Sequence, residues 1–186
     1  MKKLKNRRAL VTGAATGIGA GVAIALAKEG ADVAINYLNK KQENAARAVA
    51  AAVRKAGGKA FLVQADVSKE APVKRMVSAV LKKFGRIDVL VNNAGIATSA
   101  PVEEMSVAMW DQMIAVNLRS VFLTTHFVLP HMYAAKYGRI VNNASQLASL
   151  GSPGLAHYCS AKAGIIGFTR ALSLEIGDRN VNVNCV

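Results

Sequence analysis

The sequence predicts an α/β fold in which helices cover both faces of a doubly wound, Rossmann-like parallel sheet. Short apolar runs alternate with helical segments along the 186 residues. Only 5% of the residues are aromatic, so Ala, Val, Ile and Leu must build the core, which is typical of a buried parallel sheet. Several apolar runs end in glycine or polar residues, where such folds bind their ligands. We expect a single domain over 1–186.

The first apolar run, Arg7–Thr12, is predicted to be a strand that leads through a glycine-rich turn into a helix over Gly17–Glu29, closed by Gly30. The glycines follow the spacing G-x-x-x-G-x-G, which differs from the common dinucleotide-binding pattern. Glycine lets the backbone approach an anion, and a helix N-terminus offers free N–H groups and a favourable dipole. The turn is a candidate phosphate cradle, although alanine- and glycine-rich turns without a ligand are common.

Further strands and helices alternate over residues 32–37, 41–56, 59–65, 70–84 and 87–91. Right-handed crossovers bring the carboxyl ends of all parallel strands to one edge of the sheet. Gly13, Asp66 and Asn93 each follow a strand, so we expect them to converge at that edge. Their convergence predicts a dinucleotide site.

The end of the second strand bears on which dinucleotide binds. An NAD site usually has Asp or Glu there to bind the adenosine ribose. Here the strand ends in Asn36 and Tyr37, and Asp32 lies at its other end. Lys40 and Lys41 follow, so NADP(H) is favoured and NAD(H) stays possible. The alternative is that the two lysines only begin a solvated helix.

A long helical segment is predicted over residues 107–133, with Ser106 as its N-cap and Pro130 as a candidate break. Asn117 lies inside it, where asparagine has a poor helix propensity; position alone favours a structural role over a catalytic one. The apolar residues of the segment are spaced as a core face; they are Trp110, Met113, Ile114 and Leu118.

A fifth strand over 139–143 delivers Ser145, and a helix over 157–176 precedes a sixth strand over 181–186. The helix carries few charges and is apolar nearly all round, so we expect the sheet on one side and a second copy of the chain on another. The predicted protein is therefore a homo-oligomer, a dimer or a tetramer.

Tyr158 and Lys162 lie four residues apart, which places them on one face of this helix with Cβ atoms about 6 Å apart. The cation favours the phenolate, so the phenol can give or take a proton in a transition state. A hydroxyl such as Ser145 could hydrogen-bond an oxygen on which charge develops. Taken alone, however, such a Tyr/Lys pair is usually part of a solvated helix face.

Composition narrows the remaining options. Basic residues outnumber acidic ones by 24 to 11, a formal charge of +13, which suits an anionic partner or simply a soluble surface. No nucleic-acid motif appears, so no nucleic-acid partner is expected.

Cys159, Cys185 and the three histidines lack ligand spacing, so we predict free thiols in a reducing compartment and no metal. The uncharged stretch Ala9–Ala27 imitates a signal or membrane span, but its four glycines argue against both, and we expect a cytoplasmic protein with no membrane partner.

Together these features resemble the short-chain dehydrogenase/reductase family over about Arg7 to Val186. The matching landmarks are TGAATGIG at 12–19, Asp66-Val67, NNAG at 92–95, Asn117, Ser145, and Tyr158 with Lys162. The sequence is most similar to the 3-oxoacyl-(acyl-carrier-protein) reductases of fatty acid biosynthesis, and sugar and polyol dehydrogenases look nearly the same. The resemblance implies the strand order 3-2-1-4-5-6 and an NADP-dependent enzyme that reduces a small or acyl-carrier-linked carbonyl compound.

The resemblance also implies roles for individual residues. Tyr158 would be the general acid or base, Lys162 would activate it and bind the nicotinamide ribose, and Ser145 would polarise the substrate oxygen. Asn117 would hold a water behind Lys162, and Asp66 would meet the adenine. The implied cofactor-binding residues are Thr12, Gly13, Thr16, Gly17, Ile18, Gly19, Asn36, Asp66, Val67, Asn93, Ala94, Gly95, Tyr158 and Lys162.

The sequence departs from the family pattern in two places. Family members usually continue beyond the sixth strand with a substrate lid and a last strand, so we expect a domain that lacks both, either as a fragment of a longer chain or as a truncated product. The alternative to an enzyme is then a non-catalytic nucleotide-binding fragment. Many NADP-preferring members have a basic residue where this chain has Thr16, which weakens the preference for NADP(H).

Overall fold

The computed structural model describes residues 2–186, which form a six-stranded parallel sheet between two layers of helices. The strand order is β3-β2-β1-β4-β5-β6, as predicted, and every neighbouring pair is parallel. The strands are β1 (Arg8–Val11), β2 (Asp32–Tyr37), β3 (Ala60–Gln64), β4 (Val89–Asn92), β5 (Gly138–Asn142) and β6 (Val181–Cys185).

The helices follow the strands at the positions that the sequence predicts, with ends shifted by one or two residues in most cases. They are α1 (Gly17–Lys28), α2 (Glu43–Lys55), α3 (Glu70–Phe84), α4 (Val107–Ile114), α5 (Ser120–Ala134), α6 (Leu147–Leu150) and α7 (Ala156–Glu175). A 3₁₀ turn, Lys40–Gln42, precedes α2, and a π-helical segment, Ala115–Arg119, joins α4 to α5. The short helix α6 was not predicted.

The sheet buries both faces because successive strand residues point to opposite sides. Leu10, Leu90 and Ile140 belong to a core cluster shared with α3, α5 and α7, whereas Val11 and Val89 pack with α1 and α2. Small side chains on α1, such as Ala23 and Ala27, are fully buried. Two aliphatic cores therefore hold the carboxyl ends of the strands at one edge.

The long helical segment differs from its prediction in two respects. Pro130 does not break it, because Pro130 and His126, whose carbonyl loses its helical donor, are both exposed, and water can bind that carbonyl. The prediction that Trp110 lies in the core is wrong: it is 40% exposed, whereas Met113 is buried. The predicted N-cap is confirmed, since Oγ of Ser106 accepts a hydrogen bond from the N–H of Met109 at 3.2 Å.

The same segment, Val107–Ala134, is the one helix in residues 2–186 that is long and apolar enough to cross a membrane, with a mean hydropathy of 1.3. In the fold, Leu123, Val128 and Met132 pack into the core that α3 and the sheet share. It is therefore a core helix of the domain.

Candidate active site

A cavity of about 870 Å³ runs along the carboxyl edge of the sheet. It is within the range of ligand pockets in proteins. Of the predicted site residues, those that line it are Gly13, Thr16, Ile18, Asn36, Asp66, Val67, Asn93, Ala94, Gly95, Tyr158 and Lys162. The predicted residues outside the lining are Thr12, Gly17, Gly19, Asn117 and Ser145. The structure thus brings both halves of the predicted site, nucleotide cradle and Tyr/Lys pair, to one cavity.

The glycine-rich turn allows a close approach between two loops. Gly13 has φ +60°, and a Cβ there would lie 2.8 Å from Cα of Ala94. A Cβ on Gly19 would meet the carbonyl oxygen of Gly13 and lie 2.5 Å from Nδ2 of Asn93. These glycines are required by the packing of the turn against the loop after β4.

The N-terminus of α1 suits an anion. Thr16 is its N-cap residue but makes no side-chain capping bond, and the first turn contains no acidic residue. The first N–H groups of a helix have no intrahelical acceptors, and the helix dipole favours negative charge there. Because Thr16 and Ile18 line the cavity, this end of it fits the pyrophosphate of a dinucleotide.

Thr12 and Asn93 connect the turn after β1 to the loop after β4. Oγ1 of the buried Thr12 accepts hydrogen bonds from the N–H groups of Asn93 and Ala94, at 2.9 and 3.1 Å. Nδ2 of Asn93 donates to the carbonyl oxygens of Thr12 and Gly13, at 3.0 and 3.2 Å. These contacts fix the two loops that border the cavity.

Asn36 lines the cavity, and its polar atoms form hydrogen bonds within the protein. Its Oδ1 accepts a hydrogen bond from the N–H of Gly13 at 3.1 Å, and its Nδ2 donates to the carbonyl oxygens of Val63 and Ala65 at 3.3 and 3.1 Å. The side chain is buried and its donors are used within the protein. Asn36 therefore braces the glycine turn, and a coenzyme could meet it only through its remaining surface.

Beyond β2, Leu38 and Gln42 line the cavity, whereas Lys40 and Lys41 are exposed and outside the lining. Asp32 lies at the opposite edge of the sheet, as its position in the strand predicts, where its carboxylate is 3.3 Å from Nε of Arg8. The described residues thus place no carboxylate at the end of β2.

Asp66 presents a carboxylate to the cavity. Burial raises the pKa of this carboxyl, but hydrogen bonds from the hydroxyl and N–H of Ser68, at 2.6 and 3.0 Å, and the charge of Lys69 outweigh burial, so that its pKa is lowered overall. An ionised carboxylate only accepts hydrogen bonds, which suits the amino group of an adenine.

At the other end of the cavity, Lys162 is buried beside Tyr158. Its Nζ donates to the carbonyl oxygen of Asn143 at 2.6 Å and lies 5.6 Å from the centre of the Tyr158 ring. Lys162 is only 4% exposed, and no acidic side chain of residues 2–186 pairs with it. Burial lowers the pKa of its ammonium group. The cation is held by one carbonyl and by its packing beside the phenol.

Ser145 follows β5 and lies two residues after Asn143. Its Oγ accepts a hydrogen bond from the N–H of Leu147 at 3.2 Å, at the start of α6. This bond uses the oxygen as an acceptor and leaves the hydroxyl proton free to be donated.

The side chain of Asn117 holds the loop after β4 in place through hydrogen bonds to its main chain. Its Oδ1 accepts from the N–H of Ile96 at 2.8 Å, and its Nδ2 donates to the carbonyl oxygen of Ile96 at 2.9 Å and to Sδ of Met113 at 3.0 Å. Both amide hydrogens are thus used, so a relay water at Asn117 could only donate to Oδ1 or bind the main chain. Asn117 lies in the π-helical segment, a distortion that is frequent at functional sites.

Sequence reasoning missed Asn143 and the wall that α4 contributes through Asp111 and Gln112. Asn143 could have been found, because it follows β5 as Asn93 follows β4. The α4 wall has no such signal, since helix positions reveal their neighbours only through tertiary packing. Within residues 2–186, no cluster of three His, Cys, Asp or Glu side chains could hold a metal ion.

The two ends of the cavity define the class of the protein. One end suits the phosphates of a dinucleotide, and the other places a phenol beside a buried cation, which is the arrangement of a dinucleotide-binding oxidoreductase. More specifically, the chain belongs to the short-chain dehydrogenase family, whose model matches residues 7–186.

Individual relatives differ in substrate. The chain is 44% identical over 186 residues to a 3-oxoacyl-[acyl-carrier-protein] reductase of Synechocystis, covering all of this chain and 74% of the relative. It is 43% identical over 183 residues to the (2S)-[(R)-hydroxy(phenyl)methyl]succinyl-CoA dehydrogenase subunit BbsD of Thauera aromatica, covering 98% and 72%. A structure of NAD⁺-bound xylitol dehydrogenase matches with a TM-score of 0.94 at 34% identity, covering 99% and 70%.

Proposed function

We propose that this chain is an NADPH-dependent carbonyl reductase that acts on 3-oxoacyl substrates, either small esters or chains linked to an acyl carrier. The observation that carries the proposal is that Tyr158 and Lys162 line the same cavity as the uncapped N-terminus of α1. The reductase relatives support the choice of substrate. The same site would run in the opposite direction as an alcohol dehydrogenase.

Residues at the two ends of the cavity would bind different parts of the cofactor. The N-terminus of α1 would bind the pyrophosphate, Asp66 would accept a hydrogen bond from the adenine, and Lys162 would bind the nicotinamide ribose. A bound NADPH would supply the hydride for the carbonyl carbon. The absence of a carboxylate at the end of β2 supports NADPH over NADH.

The proton for the substrate oxygen would come from Tyr158. As charge develops on that oxygen, the phenol would donate its proton, and the Lys162 ammonium would stabilise the phenolate that remains. Ser145 would donate its free hydroxyl proton to the same oxygen as a hydrogen bond. Asn117 would keep the wall formed by Ile96 in place and, through its main chain or Oδ1, contact a relay water behind Lys162.

The proposal is tested by titrating the chain with NADPH and NADH and then following NADPH oxidation with an acetoacetyl ester. We expect tighter binding of NADPH, and Tyr158→Phe should lower kcat by at least about 100-fold while the Kd of NADPH stays within about twofold. Tyr37→Phe is the matched control and should keep its kcat. Cofactor binding without turnover of any ketone would instead support a non-catalytic nucleotide-binding protein.

The alternative of an NAD-dependent alcohol dehydrogenase is favoured by the NAD⁺-bound xylitol dehydrogenase. It predicts tighter binding of NADH than NADPH and oxidation of polyols.

We further propose that the protein works as a homo-oligomer in the cytoplasm. The exposed apolar residues of α4, α5 and α7 support the first point, and the two free cysteines suit a reducing compartment.

A further inference from the structure

We propose that His157 is a positioning residue which, through Thr98, fixes the substrate-side wall of the cavity relative to the Tyr158 hydroxyl. The wall is the segment 96–100 that follows β4, and Ile96 and Ala97 from it line the cavity. The proposal rests on the proposed function, because its main consequence is an effect on the KM of the carbonyl substrate.

His157 is fully buried in the first turn of α7, immediately before Tyr158. Its Nε2 lies 3.1 Å from Oγ1 of Thr98, and Nδ1 is the single buried side-chain polar atom of residues 2–186 with no hydrogen-bond partner. A buried polar atom without a hydrogen-bond partner destabilises the folded state, so the presence of His157 at this position requires an explanation. The bond to Thr98 is the polar contact that this imidazole makes.

The burial of Nδ1 also indicates which nitrogen carries the proton. If Thr98 donated to Nε2, Nδ1 would carry an orphaned N–H group; if Nε2–H donates, Nδ1 keeps only an unused lone pair. Orphaned buried N–H groups are the rarer of the two. We therefore assign the proton to Nε2, which leaves the hydroxyl proton of the exposed Thr98 free for a further acceptor.

The wall is held at alternate residues by the π-helical segment, by α7 and by the loop before α7. Ile96 is held by Asn117, Thr98 by His157, and the N–H of Ala100 donates to the carbonyl oxygen of Gly154 at 3.0 Å. Thr98 is the middle anchor, and the one that joins the wall directly to the helix of Tyr158. Its loss would let the wall move against the phenol without breaking the cofactor end.

The position of the bond determines its expected effect. Binding of the carbonyl substrate depends on the wall, whereas proton donation depends on Tyr158 and Lys162. A neutral hydrogen bond is worth about 1 kcal/mol, which corresponds to about a fivefold change in an equilibrium constant. We therefore expect KM to rise about fivefold, with kcat and the Kd of NADPH each within about twofold of the wild type.

The test compares Thr98→Val and His157→Phe with Thr98→Ser, which keeps the hydroxyl, and with Ser78→Ala, which removes an exposed hydroxyl on α3, outside the cavity. Both of the first two variants should raise KM about fivefold, and the double variant should be no worse than either, because both remove one bond. Thr98→Ser and Ser78→Ala should keep the wild-type KM. Additive effects, or a wild-type KM for Thr98→Val, would overturn the proposal.

A readout without substrate separates this proposal from the proposed function. The imidazole ¹⁵N spectrum of the ligand-free wild type should show the Nε2–H tautomer for His157, and Thr98→Val should shift that signal. An unshifted signal would overturn the hydrogen bond whether or not the enzyme turns over a ketone. If His157→Phe does not fold, Thr98→Val at the exposed position carries both measurements.

Discussion

At the scale of single residues, Lys162 shows how the site holds a buried cation that the proposed mechanism requires. A buried ammonium without a carboxylate partner is destabilising, because burial favours the neutral form. The hydrogen bond to the carbonyl oxygen of Asn143 offsets part of this cost. In the proposed mechanism the charge of Lys162 stabilises the phenolate of Tyr158, so stability and the proposed function place opposite demands on this residue.

This opposition gives a pH-dependent prediction. The pKa of Lys162 is lower in the folded protein than its ordinary value of 10.5, so the unfolded state binds its proton more tightly. The free-energy cost of burying the ammonium is complete below the pKa of Lys162 in the folded protein, and it is relieved as the pH rises towards 10.5. Relative to Lys162→Met, the wild type should therefore gain free energy of unfolding as the pH is raised towards 10.5, as measured by urea unfolding.

The matched control is Lys74→Met on α3, which replaces an exposed lysine and should show no such pH trend. Lys162→Met should also lower kcat/KM by at least about 100-fold if the cation activates the phenol. A pH-independent difference between the wild type and Lys162→Met would show that the ammonium is not buried as the structure has it.

At the scale of elements, a buried chain of amides and hydroxyls joins β4, β5, α5 and α7 beneath the cavity. Nδ2 of Asn92 donates to Oδ1 of Asn142 at 2.9 Å, and the two residues are register partners in β4 and β5. Oγ1 of Thr124 donates to Oδ1 of Asn92 at 2.6 Å, and Nδ2 of Asn142 donates to Oγ1 of Thr169 at 2.9 Å. These bonds tie the helix of Tyr158 to the centre of the sheet.

Thr124→Val tests this network with a nearly isosteric change. It removes the donor to Asn92 in a buried place, so we expect the free energy of unfolding to fall by about 1–3 kcal/mol. Ser78→Ala, which removes an exposed hydroxyl on α3, should change it by less than about 0.5 kcal/mol. Denaturant unfolding of both variants measures the difference; equal values would mean that the network adds nothing to stability.

The same elements show what the sequence can and cannot predict. The strand ends at Gly13, Asp66 and Asn93 are predictable because topology alone brings the carboxyl ends of parallel strands together. The bracing role of Asn36 is not, since it depends on the carbonyl groups of β3 and the turn after β1. Nor is the exposure of Trp110, because helical spacing identifies an apolar stripe without showing how much of it the sheet covers.

At the scale of the whole molecule, the placement of some basic residues has a local explanation. Basic residues occupy the last turns of α1, α2 and α3, at Lys28, Arg54, Lys55, Lys82 and Lys83. Cations at helix C-termini stabilise the helix dipole. Five of the 24 basic residues thus stabilise helices at the edge opposite the cavity.

The exposed small and apolar residues on the outer face of α7 are not explained by packing within one chain. Ala163, Gly167 and Ala171 recur at every fourth residue and are exposed, and Leu174 is 87% exposed at the end of the helix. Small residues at this spacing allow a second helix to approach closely. Together with the exposed Trp110 on the neighbouring α4, they support the proposed homo-oligomer.

Ala171→Glu tests this face, because a carboxylate placed between close-packed helices would be buried without a partner. In light-scattering chromatography, the wild type should have two or four times the 19.6 kDa mass of one chain, and Ala171→Glu should be mainly a monomer with unchanged circular dichroism. Ala51→Glu makes the same change at an exposed position of α2 and should keep the wild-type mass. A wild-type monomer, or equal masses for the two variants, would contradict an interface through α7, because both substitutions add the same charge and differ only in the surface on which they lie.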